Sequence, residues 1–269
     1  SRALEVLLAA LQGTDAALRA RALEVLRLTR PVGAVPALAR ILEHGDGISR
    51  LHAAVTLGFI GTESSAEPLI RALDDTRPLR EVGPAVRSLR ELQYNVIWSL
   101  GRVGGTAARE KLLALTGSEH ATHHPMVALA LAHYSHSDTV RVLSRFAGRQ
   151  GSRTRQAALW SLAHMNRDDA IPPLAQALRS TLPGEAEIAL WALARSPSEA
   201  ARRVLFDAFV VGVGPAPHLL VRALASRASG APSPGRFQPY MRLIDLNQLR
   251  LISGAPDPAA LISSTVLSA

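Results

Sequence analysis

The stretch Ile97–Leu100, IWSL, returns twice further along the chain, as Leu159–Leu162 (LWSL) and as Leu190–Leu193 (LWAL). The final leucines of the three stretches are 62 and 31 residues apart, so one period of 31 residues relates all of them. A fixed period between 20 and 50 residues is typical of solenoids, in which similar helical units stack on their neighbours. The recurrence therefore decides how the rest of the sequence is interpreted.

Two series of leucines follow this period, one for each helix of a two-helix unit. The first-helix series is Leu26, Leu57, Leu100, Leu131, Leu162, Leu193 and Leu224, and the second-helix series is Leu7, Leu38, Leu69, Leu112, Leu143, Leu174 and Leu205. Every step is 31 residues except for one step of 43 in each series. Two independent series thus share one period and one exception, which places 12 extra residues within about 76–87.

These series predict an all-α fold, a right-handed α-α superhelix, over residues 1–228. We expect a half repeat at 1–12, a last helix at 215–228 and, between them, six helix pairs at about 14–43, 47–75, 88–117, 121–149, 152–180 and 184–212. Because the half repeat lacks its first helix and the chain begins without Met, we expect a piece of a longer protein. Residues 229–269 begin with a run of Gly, Pro and Ser and are predicted to form an irregular C-terminal cap or tail.

The composition limits the classes of function. The net charge is +8, Lys111 is the single lysine, and the remaining positive charge is arginine, which suits an acidic protein, nucleic acid or anionic lipid, or else reflects base composition. There is no cysteine, which excludes disulfides and thiol catalysis. No apolar run approaches the roughly 18 residues of a membrane span, and the first residues of this sequence show no signal-peptide pattern. We expect a cytoplasmic protein with no membrane span.

The strings AAVTLGFIGTESSAEPLIRAL (53–73) and ALWSLAHMNRDDAIPPLAQAL (158–178) resemble HEAT repeats of the short bacterial kind named after phycobilin lyases. The resemblance covers about residues 1–228 and implies an armadillo-like α-solenoid. In the related deoxyhypusine hydroxylases, His-Glu pairs on first helices hold iron. Here His52 is followed by Ala53 and the chain contains no His-Glu pair, so that activity is excluded.

One position of the first helices carries the main candidate site. Two residues before each leucine of the series, the side chain is predicted to point away from the core. The residues at this position are Glu24, Val55, Trp98, Leu129, Trp160, Trp191 and Arg222. We predict a partner-binding strip made of Trp98, Leu129, Trp160 and Trp191, since tryptophan is a preferred interface anchor. The alternative is that the indoles pack on neighbouring helices of the chain itself.

A second candidate surface lies on the second helices, two residues after each leucine. Arg40, Arg71 and Arg145 occupy this position and are predicted to line the concave face, where they could bind carboxylates or phosphates. The alternative is a solvated face paired with nearby acidic residues. The insertion at 76–87 is either a third candidate surface or a surface loop that the fold tolerates, since loops lengthen at small entropic cost. The cations at the equivalent position of the first helices, Arg102, His133, His164 and Arg195, are interpreted as partners of the helix dipole.

The sequence contains no recognisable catalytic motif. The histidines within 120–136 have no carboxylate or cysteine partner at a metal-binding spacing, so we predict no metal and no cofactor. We therefore predict a non-enzymatic HEAT-repeat scaffold that binds a protein. One alternative is a nucleic-acid or polyanion binder that uses the concave arginines, and another is an accessory subunit of a lyase-like enzyme. The oligomeric state stays open.

Overall fold

The computed structural model describes residues 2–75, 77, 89–148, 153–182 and 184–228. The predicted insertion at 76–87, apart from Arg77, and the predicted cap or tail at 229–269 lie outside these residues. The described residues form fourteen α-helices and no β-strand, and the helices follow one another in pairs along the repeat. The prediction of an all-α helical-repeat fold is confirmed.

The described helices fall into two compact units, at residues 2–115 and 116–228. The first unit contains α1 (Arg2–Gln12), α2 (Ala16–Thr29), α3 (Val35–His44), α4 (Gly47–Ile60), α5 (Ala66–Asp74), α6 (Leu89–Val103) and α7 (Thr106–Ala114). The second unit contains α8 (His124–Leu131), α9 (Ser137–Ala147), α10 (Arg153–Met165), α11 (Ile171–Ala177), α12 (Glu185–Arg195), α13 (Glu199–Val211) and α14 (Pro217–Ala228). Within each unit, first helices pack on first helices and second helices on second helices.

The core of each unit is built from the leucine series and the positions that share its helix face. In α6, Val96, Ile97, Leu100 and Val103 are all buried, as the helical periodicity predicts. One prediction about the opposite side is wrong, because Val55 in α4 is only 2% exposed. Helix α4 packs against α1, α2, α3 and α6, and these neighbours leave little of its surface in solvent.

The serine of the repeated IWSL stretch explains how consecutive first helices approach each other. Ser99 Oγ donates a hydrogen bond to the carbonyl oxygen of Ala54, at 2.8 Å, and thereby joins α6 to α4. Ser161 Oγ lies 2.8 Å from the carbonyl oxygen of Ala128 and joins α10 to α8 in the same way. A small hydroxyl side chain at this position therefore brings two helices together and satisfies its own polar atom.

Gly58 lies directly against Ser99 of the next first helix, and we predict that Gly58→Ala destabilises the protein. A Cβ atom on Gly58 would lie 2.6 Å from Ser99 Oγ and 2.9 Å from Ser99 Cα. Overpacking of this kind costs about 1–3 kcal/mol, which exceeds the roughly 0.5–1 kcal/mol that alanine gains over glycine in a helix. We expect the midpoint of urea unfolding to fall. Gly33→Ala, with no atom within 4 Å of the new Cβ, is the control, and equal midpoints for the two variants would contradict the prediction.

Candidate functional site

The tryptophans of the second unit belong to a continuous stack of rings and one cation. The Trp160 and His164 rings, both on α10, have centroids 3.8 Å apart, and His164 lies 5.0 Å from the Trp191 ring on α12. The Arg195 guanidinium lies 4.6 Å from the centre of the Trp191 ring. We call these four side chains the indole ladder. They join α10 to α12 on the face opposite the leucine core.

The first unit repeats the arrangement with different residues. The Phe59 ring on α4 meets the edge of the Trp98 ring on α6, with centroids 5.3 Å apart. The Arg102 guanidinium lies 5.0 Å from the centre of the Trp98 ring and 5.3 Å from that of the Phe59 ring, and the Arg27 guanidinium lies 5.5 Å from the centre of the Phe59 ring. In both units a tryptophan contacts the residue four positions later in its own helix and a ring of the preceding first helix. Cation–π and edge-to-face contacts of this kind stabilise the junction between repeats.

Burial sets the charge state of the indole ladder. The pKa of His164 is lowered to about 4, mainly by burial; the contact of its Nδ1 with the Trp160 carbonyl oxygen at 2.8 Å opposes the shift, and the charges of Arg195 and His133 add to it. The imidazole is therefore neutral at physiological pH and stacks as an aromatic ring. In the first unit, burial is the main cause that lowers the pKa of Arg102.

The four residues of the predicted strip are all half-buried. Trp98, Leu129, Trp160 and Trp191 each keep part of their surface in solvent. Trp98 and Trp191 also pack on rings of neighbouring first helices, which is the alternative that the sequence left open, while Trp160 stacks on His164 of its own helix. Their role in partner binding remains a prediction. The sequence interpretation missed the partners of the indoles, although the spacing of four residues between Trp160 and His164, and between Trp191 and Arg195, was available as a signal.

The predicted arginines are exposed in both units. Arg40 on α3 and Arg71 on α5 belong to the first unit, where these two second helices pack together. Arg145 on α9 belongs to the second unit, and its Nη2 lies 3.5 Å from the hydroxyl of Thr116. Arg71 lies 4.0 Å from Glu67, and both side chains are exposed. The structure thus gives these cations the exposure that ligand binding needs and leaves their role as a prediction.

A network of three charged residues lies beside Arg71 at the end of α5. Asp75 accepts a hydrogen bond from Arg50 Nη2 at 2.7 Å and two from Arg77, from Nε and Nη2, at 2.8 Å each. Arg50 is buried, and its Nε donates to the Leu42 carbonyl oxygen at 2.8 Å. The bonds from Arg77, together with Arg50, hold the pKa of the Asp75 carboxyl well below its usual range. The network fixes the point at which the chain leaves α5 towards the insertion.

An exposed apolar surface on α13 and α14 is the feature that the sequence analysis did not identify. The exposed fractions are 55% for Phe206, 41% for Phe209, 65% for Val210, 68% for Val211 and 49% for Val221. Phe206, Phe209 and Val210 follow the spacing of one helix face, which was the available signal. We call these five residues the α13–α14 apolar surface. Helices α13 and α14 pack against each other.

Two further kinds of site are absent from the described residues. No three histidine, aspartate or glutamate side chains in these parts of the chain lie close enough to hold a metal ion. None of the described helices combines the length and the apolar character that crossing a lipid bilayer requires.

Comparisons with known proteins agree on the fold. A family model for HEAT repeats matches residues 4–90 and 125–194. Among solved structures, the chain is similar to the complex of CpcE and CpcF of phycocyanin lyase from Nostoc sp. PCC7120, with a TM-score of 0.50, 21% identity, and coverage of 90% of this chain and 93% of that one.

Two other solved structures give lower scores. An engineered protein matches with a TM-score of 0.40 and 18% identity, covering 85% of this chain and 97% of that one. Human deoxyhypusine hydroxylase in complex with glycerol matches with a TM-score of 0.33 and 18% identity, covering 71% of this chain and 83% of that one. No curated protein matches the sequence. Since the family model matches more than half of the residues and the helix pairs follow its period, the chain belongs to the HEAT-repeat family.

Proposed function

We propose that this protein is a non-enzymatic scaffold that binds another protein. The observation that carries the proposal is the α13–α14 apolar surface, in which five large side chains are each at least 41% exposed. Single exposed apolar residues are ordinary, but Phe206, Phe209 and Val210 share one face of α13, and an exposed apolar face is typical of protein–protein contact sites. Phenylalanine is also among the residues enriched at interfaces.

The energetics favour a protein as the occupant of this surface. Burial of apolar surface contributes about 25 cal/mol per Å², so covering two phenylalanines and three valines would supply several kcal/mol towards association. Charged pairs lie at one end of the surface, where Arg202 and Arg203 both approach Glu199. An apolar centre with charged residues at its edge is the usual composition of such an interface.

The indole ladder, Trp98, Leu129 and the exposed arginines are proposed as additional contact surfaces. Stacking on neighbouring rings holds the indoles in fixed orientations, so little side-chain entropy would be lost when a partner covers their exposed edges. The apolar surface would then supply most of the affinity, and the indoles and arginines would contribute to the choice of partner.

The proposal is tested with the full chain, tagged and expressed in its source cells. We expect specific proteins to co-purify with the wild type, and we expect the double variant Phe206→Asp, Phe209→Asp to lose them while its helicity and melting temperature stay unchanged, because both side chains are exposed. The matched control is Leu28→Asp, which places the same charge at an apolar side chain that is 70% exposed on α2. Capture that is identical for all three proteins, or no capture above an untagged sample, would contradict the proposal.

The same purification separates the two alternatives. A nucleic-acid or polyanion binder would recover nuclease-sensitive material and lose it steeply as salt is raised. An accessory subunit of a lyase-like enzyme would recover a second chain whose bond-cleaving activity depends on this protein. Light scattering of the purified chain reports whether the α13–α14 apolar surface is occupied by a second copy instead.

A further inference from the structure

A small cleft lies between α3 and α5 in the first unit, next to the predicted arginines. Its volume is about 90 Å³, and its apolar lining residues include Leu42, Pro68 and Ala72. Its charged lining includes Arg71 and Arg77. The cleft is thus large enough for the end of one side chain and offers it both apolar surface and cationic groups.

Arg77 is held in place at this cleft before any ligand arrives. Two of its nitrogens donate to the Asp75 carboxylate, and Nη2 also donates to the Glu43 carbonyl oxygen at 3.2 Å. Asp75 is itself fixed by the buried guanidinium of Arg50. Ordering a long arginine side chain costs conformational entropy, and this cost often cancels the gain from an exposed ion pair. Because Arg77 is already ordered in the folded chain, a ligand that binds it would not incur this cost.

The other cations of this surface are not neutralised in the same way. The single ion-pair contact of Arg71 within the described residues is a 4.0 Å approach to Glu67, which is too long for a hydrogen bond. Arg40 forms no ion pair with any residue that the structure describes, and it occupies the equivalent position one repeat earlier. Because α3 and α5 pack together, the two positions are separated by about one helix spacing, 8–10 Å.

The distribution of charge favours a carboxylate ligand over a nucleic acid. Three cations line the cleft, Arg50, Arg71 and Arg77, against the two carboxylates of Glu43 and Asp75. The surplus is one positive charge, which matches one carboxylate. A nucleic-acid strand needs a continuous basic track, and acidic side chains placed between the arginines would repel its phosphates.

We propose that this cleft is a docking site for an acidic segment of a partner protein. One glutamate or aspartate carboxylate would lie between Arg71 and Arg77 with its methylene stem on the apolar part of the lining, and a second acidic side chain would pair with Arg40. In a peptide with polyproline II conformation, side chains three residues apart lie on the same side and are separated by about 9 Å, so an acidic residue at every third position fits the two arginines. The proposal rests on the protein-binding function proposed above but uses a different surface.

The test measures binding of a fluorescent 12-residue peptide with glutamate at every third position, and of its glutamine counterpart, by anisotropy at low salt. We expect the wild type to bind the glutamate peptide alone, and Arg40→Met with Arg71→Met to weaken binding by roughly tenfold or more, since charge-assisted pairs are lost. The control is Arg21→Met with Arg203→Met, which removes the same charge at exposed positions outside the cleft. We expect that control, and Phe206→Asp with Phe209→Asp, to bind like the wild type.

Three results would overturn the proposal. The glutamate peptide fails to bind, or the two arginine pairs weaken binding equally, or a single-stranded oligonucleotide of the same length binds more tightly than the peptide. None of these results bears on the α13–α14 apolar surface. Failure of the cleft and failure of the proposed function are therefore distinguishable.

Discussion

Replacing Glu185 with alanine should lower the free energy of unfolding by about 3–5 kcal/mol, the range typical for breaking a buried ion pair. Glu185 begins α12 and is only 2% exposed. Its carboxylate accepts from Arg155 Nη2 on α10 at 2.8 Å and from the Ser180 hydroxyl at 2.6 Å. Alanine leaves the largely buried guanidinium of Arg155 without this counter-charge and removes an acidic residue from the positive end of a helix.

Urea unfolding followed by circular dichroism at 222 nm measures this loss as a shift of the midpoint. The matched control is Glu187→Ala, which removes a carboxylate from the same first turn of α12 at a partly exposed position. We expect the control to change the free energy of unfolding by less than about 0.5 kcal/mol. Similar midpoints for the two variants would show that the ion pair between α10 and α12 does not stabilise the second unit.

Acidification should destabilise the protein between about pH 6.5 and pH 4, because each unit buries a neutral histidine. Burial lowers the pKa of His52 on α4 to about 4, assisted by the charge of Arg19 and opposed by that of Asp46, and burial lowers the pKa of His164 to about 4 as well. In this pH range the unfolded chain binds protons that the folded chain does not. Stability is therefore complete above about pH 6.5 and falls as the pH decreases, by roughly 3 kcal/mol for each histidine.

The free energy of unfolding, measured in urea at several pH values, gives the slope that tests this prediction. His52→Leu and His164→Phe should each reduce the change in the free energy of unfolding between pH 6.5 and pH 4, since neither new side chain binds a proton. Phenylalanine also keeps a ring between the two indoles. His44→Gln, at a side chain that is 69% exposed, should leave the slope unchanged. A slope that is the same in the wild type and the three variants would contradict the prediction that His52 and His164 cause the loss of stability in acid.

The fold could be predicted from the sequence because equivalent residues make the same local contacts in successive repeats. Each first helix has a leucine with small residues around it, and α6 and α10 share a serine that reaches the preceding first helix, so the pattern recurs in the sequence. Helical periodicity then assigns the buried face. It failed at Val55, since periodicity describes one helix alone while α4 has neighbours on several sides.

The candidate site was less predictable because it depends on contacts between repeats. That Trp191 meets His164 follows from how α12 is placed along α10, and a single helix does not contain that information. The apolar face of α13 was overlooked for a related reason. Earlier second helices such as α3 and α5 are followed by another second helix that packs on them, whereas within the described residues α13 has no such successor. Phenylalanine is usually a core residue, but Phe206 and Phe209 of α13 are exposed in the structure.

The three tryptophans supply built-in optical probes. Trp98 is the fluorophore of the first unit, and Trp160 and Trp191 are those of the second. Trp98 and Trp191 each contact a ring on the preceding first helix, so their emission reports the separation of two repeats. Trp98→Phe therefore leaves a signal from the second unit alone, and the difference from the wild-type trace reveals whether the two halves of the chain unfold together or one after the other.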